Sequence, residues 1–152
     1  YKGAFQPNMI YQSRGSIREF GNKRAIFFGG AFSHDKDQRV LGKSYWPQET
    51  ITYSQVMRAV AQAGPIDIMF SHEHPAAFPY SDERYGIDDV LGKGDKQALE
   101  AIRQHFKPRF SVFGHHHVFD EGETDGTKWI CAPIIDERKY VVFDGERIYL
   151  DE

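Results

Sequence analysis

The sequence predicts a mixed α/β fold, and three observations carry that expectation. Short β-prone runs alternate with two segments of helical periodicity. Two of the runs are mainly apolar without clear alternation, as strands covered on both faces are. Each of those two runs also stops at histidine, at His72 and at His115 to His117.

The elements follow in chain order. Runs at Met9 to Gln12, Ile17 to Phe20 and Arg24 to Phe28 are separated by Arg14-Gly15 and Gly21-Asn22, the punctuation of hairpin-linked strands. Gly29-Gly30 then opens a long loop, Ala31 to Glu49. Thr52 and Gln55 have capping-box spacing, and Tyr53, Val56, Met57, Val60 and Ala61 form one helical stripe before Gly64-Pro65 stops it. Ile66 to Phe70 is the next strand, ending at Ser71-His72, and a second long loop runs from Glu73 to Gly94. Asp95 is expected to cap a helix with Ala98, Leu99, Ile102 and Phe106 on its inner stripe, which Pro108 ends. Arg109 to Phe113 is a strand leading into Gly114-His115-His116-His117. Trp129 to Ala132, Tyr140 to Phe143 and Arg147 to Leu150 complete the strands, with Asp144-Gly145 as a hairpin turn. Two helix-then-strand units in succession predict parallel neighbours, and so place both histidine clusters at one carboxyl edge of a sheet.

Composition narrows the function. Residues 1–152 suit a single domain, with 40% apolar and 14% aromatic residues to build a core. A net charge of -3 with mixed signs argues against a broad nucleic-acid-binding surface. No run approaches the roughly 18 apolar residues of a membrane span, so no membrane partner is expected. The lone Cys131, in an apolar stretch, reads as a buried thiol in a reducing compartment, and the expected location is cytoplasmic.

The histidines carry the chemistry. With extended backbone after Gly114, the period of two sends His115 and His117 to one side and His116 to the other. His72 ends the preceding parallel strand at the matching position, so the three imidazoles His72, His115 and His117 are expected to hold metal. Imidazole ligands favour a transition ion such as manganese, iron or zinc over magnesium or calcium. Asp35 is the best internal candidate for a bridging carboxylate, with Glu49 and Glu73 behind it; otherwise Asp35 orders its own loop. Arg39 is expected either to bind substrate as a two-pronged donor or to form a loop salt bridge. Trp46 either shapes the mouth of the site or packs beneath it. His74 either assists the reaction in proton transfer, supports a ligand, or is a solvated loop histidine. His34 shares the loop of Asp35, and the segment from Ala76 to Gly94, including Tyr80, Asp82, Glu83, Arg84 and Tyr85, is a candidate lid.

Phe70-Ser71-His72 followed by Pro75, and Gly114-His115-His116-His117, resemble in order and spacing the closing motifs of the calcineurin-like metallophosphoesterases. The stretch Gly29 to Asp35, with Arg39, Trp46, Pro47 and Glu49 after it, looks like an uncharacterised bacterial and phage branch of that family. The resemblance implies one half of a four-layer α/β/β/α sandwich and two divalent transition-metal ions (Mn, Fe or Zn). It also implies hydrolysis of a phosphate mono- or diester by a metal-bound hydroxide. On that likeness, His72 and His115 would bind the second ion and His117 the first, with His116 at the variable position.

The family's aspartate-x-histidine, glycine-aspartate-x-x-aspartate and glycine-asparagine-histidine motifs do not occur in the sequence. The resemblance therefore implies a carboxyl-terminal fragment, beginning at Tyr1, of a single metallophosphoesterase domain. Such a piece is expected to self-associate or to pair with a missing amino-terminal half. The alternative is a catalytically incomplete module that binds metal or a partner.

Overall fold

The computed structural model describes residues 10–33, 35–80, 92–133 and 140–151. It is a mixed α/β structure in which a six-stranded sheet carries two helices on one face and a two-stranded hairpin on the other. The strands are β1 (Ser16–Phe20), β2 (Lys23–Phe28), β3 (Ile68–Ser71), β4 (Phe110–Phe113), β5 (Asp120–Thr124), β6 (Thr127–Cys131), β7 (Tyr140–Phe143) and β8 (Ile148–Asp151). In the main sheet they lie in the order β1-β2-β3-β4-β6-β5; β7 and β8 pair separately. The four inner strands are parallel, and the antiparallel pairs β1·β2 and β5·β6 close the two edges.

Side-chain alternation sorts the core onto the two faces. Ile26, Phe28 and Met69 point to the helix side, where they meet Val56 and Ala59 of α1 (Tyr53–Val60) and Leu99 and Ile102 of α2 (Lys93–Phe106). Ala25, Ile68 and Phe110 point to the other side and are covered by Phe143 and Ile148 of the hairpin. Phe27 and Phe70, half-buried, stack on this face with ring centroids 5.3 Å apart.

The α1 capping box forms as its spacing predicts. Gln55 Oε1 accepts the Thr52 N–H at 2.9 Å, and Thr52 Oγ1 accepts the Gln55 N–H at 3.4 Å. The buried stripe is rotated from the expected one: Ala59 is fully buried, whereas Tyr53 and Met57 face outward at 78% and 46% exposure. A short surface helix needs only a narrow buried stripe, and here the small Ala59 lets it lie close to the sheet.

Asp95 does not cap α2. Gly92 takes the cap position, and Asp95 sits buried in the first turn, where its carboxylate accepts the Ile51 N–H at 2.6 Å. It thus ties the start of α2 to the segment entering α1. Burial pushes its carboxyl pKa up, and the hydrogen bonds from the Ile51 and Phe32 backbone oppose that rise.

Ile10, Tyr11 and Gln12 form no strand, and Met9 lies outside the described residues. The long loop contains two short 3-10 turns, Lys36–Gln38 and Pro47–Glu49. Among the described residues no helix is long and apolar enough to cross a membrane.

Candidate metal centre

The two histidine-bearing strands are neighbours. β3 and β4 pair in parallel, with Phe70 opposite Val112, so both strands reach the same carboxyl edge, His72 two residues beyond Phe70 and His115 three beyond Val112. The ladder continues past the strands: the His72 N–H donates to Phe28 O at 2.9 Å, and the Gly114 N–H donates to His72 O at 3.2 Å. Backbone pairing therefore runs right up to the site and limits the freedom of the histidine side chains.

His72, His115 and His117 line a single pocket of about 450 Å³ with Asp35, Arg39 and Glu49. His115 Nδ1 lies 3.0 Å from His72 Nε2. The expected separation of His115 and His117 from His116 occurs, but not by extended backbone. His115 and His117 adopt φ of 71° and 60°, the left-handed region that non-glycine residues occupy at a cost. Two such residues flanking His116 turn the first and third rings into the pocket and the second ring inward, to 6% exposure.

The pocket wall opposite the histidines is assembled from the glycine loop. Arg14 donates to the carbonyl oxygens of Gly29, Glu49 and Thr50, at 2.7 Å to Glu49 and 2.8 Å to Thr50. Gly30 has φ of 91°, and a side chain there would collide with Arg14 and with the Glu49 carbonyl. The Glu49 carboxylate accepts from Ser33 Oγ at 2.5 Å and from the Trp46 N–H at 3.1 Å. Asp35 makes an ion pair with Arg39 Nε at 2.7 Å, and Arg39 also donates to Ser44 O at 3.1 Å. Arg39 thus forms the expected loop salt bridge, and it also lines the pocket. At the Lys36–Gln38 turn Asp35 makes no side-chain cap hydrogen bond. Trp46 does not pack beneath the site: it is 38% exposed and does not line the pocket. His34 and residues 81–91, which include Asp82, Glu83, Arg84 and Tyr85 of the candidate lid, lie outside the described residues.

His74 corrects the expectation of a solvated loop histidine, being buried at 3% exposure. It does not line the pocket, so it does not face a group bound there. Instead it belongs to a compact group with Glu73 and His116 beneath the pocket floor. Glu73 Oε1 accepts the His74 N–H at 2.8 Å and lies 2.9 Å from His116 Nε2. Its other oxygen, Oε2, is 3.9 Å from His115 Nε2. Glu73 therefore stands between the buried pair and the pocket histidines.

Electrostatics follow from this layout. Burial alone would raise the Glu73 pKa, but the His116 hydrogen bond, the charge of His74 and the His74 N–H together hold it down at about 2. Burial lowers the His74 pKa to about 4 against the opposing pull of Glu73. Loss of hydration likewise lowers His72, with Glu73 and Glu49 pulling the other way. An imidazole kept neutral is an imidazole able to ligate.

No family model matches the chain, and no curated protein matches it.

The residues present do fit a metal ion. Three imidazoles converge with two carboxylates, the mixed nitrogen and oxygen set that suits a first-row transition ion. A pair of ions in this pocket would have to draw on Asp35 or Glu49 as well as on the histidines. The inner group of Glu73, His74 and His116 was not anticipated as a unit. One signal for it was available in the sequence: His116 alternates away from its neighbours, and Glu73 and His74 directly follow His72.

Proposed function

We propose that this chain carries the histidine side of a metal-dependent phosphoesterase site, on the calcineurin-like plan its closing motifs resemble. The observation that supports the reading most strongly is the convergence of His72, His115 and His117 on one pocket that also contains a guanidinium. On this reading the apolar face bearing Phe27 and Phe70 belongs to the interior of a four-layer sandwich, and the β7–β8 hairpin is part of its second sheet.

Divalent ions held by these three histidines would supply charge neutralisation and a nucleophile active at neutral pH. The chain's own residues supply orientation. Arg39 offers a forked, permanently charged donor to phosphate oxygens once it exchanges its pairing with Asp35. Glu49 is fixed by Ser33 and Trp46 and faces the same space. Glu73, beneath the floor, keeps negative charge near His115 and favours an orientation of that ring.

The test is hydrolysis of 4-nitrophenyl phosphate and bis(4-nitrophenyl) phosphate with added Mn²⁺, comparing the wild type with His117→Ala. Metal-dependent turnover that disappears in the variant is the expected result. Equal turnover in both rejects the assignment.

A second reading rests on one feature: both pocket carboxylates are already engaged, Asp35 by Arg39 and Glu49 by Ser33 and Trp46. A site with no carboxylate released to the metal would bind an ion without completing a catalytic pair. Tight Mn²⁺ or Zn²⁺ binding by a wild type that hydrolyses neither ester selects this reading.

A further inference from the structure

Below the pocket floor, the ligand atoms of Glu73, His74 and His116 all lie within 4.8 Å of one another, and all three residues are buried. The tautomer of His74 is fixed by its surroundings. Its Nδ1 lies 2.8 Å from the Pro75 carbonyl oxygen, which can only accept, so Nδ1 carries the proton. In the neutral ring Nε2 then presents a lone pair. That atom has no hydrogen-bond partner among the described residues, its side chain is only 4% exposed, and it lies 3.6 Å from Glu73 Oε1. Two lone pairs facing each other across a buried gap are unfavourable unless something positive lies between them.

We propose that Glu73, His74 and His116 form a second, inner site for a zinc-class divalent cation, separate from the pocket histidines. Two imidazoles and one carboxylate make a donor set that zinc accepts readily, leaving one position for water. The His74 Nδ1–H bond to a backbone carbonyl is the usual support of a ligating histidine, because it orients the ring and strengthens the opposite nitrogen as a donor. Around the group, Tyr80 packs 4.4 Å from the His116 ring and 5.4 Å from the His74 ring, while Phe113 lies 5.6 Å from His74. This aromatic shell limits hydration and favours a neutralised site over an exposed one. On loading, the hydrogen bond between His116 Nε2 and Glu73 is replaced by bonds to the cation, and the Nε2 proton moves to Nδ1, so the ring stays neutral. Glu73 Oε2, facing His115 at 3.9 Å, marks the side on which this site adjoins the pocket.

The experiment uses the chain carrying His72→Ala, His115→Ala and His117→Ala, which removes the pocket ligands and leaves the buried group intact. Co²⁺ is titrated at pH 7.5 and followed by visible d–d absorption, with circular dichroism to confirm the fold. The expected result is one equivalent of Co²⁺ bound per chain with an intense band that excess Zn²⁺ abolishes, and loss of that band on adding Glu73→Gln. A folded triple variant that shows no band overturns the proposal, as does a band that survives Glu73→Gln. Phosphoester hydrolysis by the wild type is scored separately, so failure of the inner site and failure of the phosphoesterase reading give different results.

Discussion

His115 Nδ1 and His72 Nε2 lie 3.0 Å apart although 43 residues separate them in the chain. Adjacent parallel strands bring them together, and the ladder beyond each strand keeps them there. If the two rings serve one ion, their contributions must be coupled. His72→Ala and His115→Ala should each weaken Zn²⁺ binding by more than the roughly 10–100-fold that loss of a supporting partner costs. The double variant should lose less than the sum of the two, with a coupling of about 0.5–3 kcal/mol. Competition against a chromophoric chelator measures all three, and strictly additive losses would mean that the rings serve separate sites.

The inner group makes stability depend on acid. His74 is held near 4 in the fold against 6.5 when free, so the unfolded chain binds more protons between those values and stability falls as pH drops from 6.5 towards 4. Glu73, at about 2 against 4.5, adds the same sign of effect from pH 4.5 downward. The His74 contribution is on the order of 3 kcal/mol. Urea unfolding of metal-free protein across pH 4 to 7 should show this slope, and His74→Gln should flatten it. A slope unchanged in the variant would remove His74 from the account.

Asp95 ties two segments that the sequence keeps apart. Asp95→Ala leaves the part-buried Ile51 N–H without its acceptor, a loss of about 1–3 kcal/mol. Asp95→Asn keeps an acceptor oxygen and relieves the cost of burying charge, so it should lose less. Urea midpoints of the two variants decide the order, and an equal loss in both would show that the hydrogen bond is not the source.

Gly30 is where the pocket wall admits no side chain. Gly30→Ala combines a left-handed φ with a collision against Arg14 and the Glu49 carbonyl. We expect reduced thermal stability together with weaker metal binding, because the clamp that seats Glu49 must shift. A variant with wild-type melting and wild-type Zn²⁺ affinity would show that the wall is not rigid.

Much of this arrangement was legible in the sequence, for identifiable reasons. Two helix-then-strand units in succession foretold parallel neighbours with a shared edge, and the mainly apolar runs ending in histidine marked which strands would meet there. The Thr52–Gln55 spacing foretold a cap that forms with both of its hydrogen bonds. Strand β5 was not anticipated, since Asp120 to Thr124 is polar and at an edge, yet the Asp125-Gly126 turn that joins it to β6 has the same chemistry as Asp144-Gly145. The left-handed backbone at His115 and His117 was not legible, because a non-glycine residue adopts it only uncommonly and the expected extended run would have oriented the rings in the same way. The burial of Glu73, His74 and His116 was equally hidden: polar residues in a loop look solvated until the aromatic residues that cover them are brought in from elsewhere in the chain.

The central claim is that His72, His115 and His117 hold metal. Zinc retained per chain after loading at pH 7.5 and gel filtration, measured by elemental analysis, tests it most directly when the wild type is compared with the variant carrying alanine at all three positions. The account predicts that the variant retains at least one ion per chain fewer than the wild type. Equal zinc in the two proteins, both folded, would contradict it.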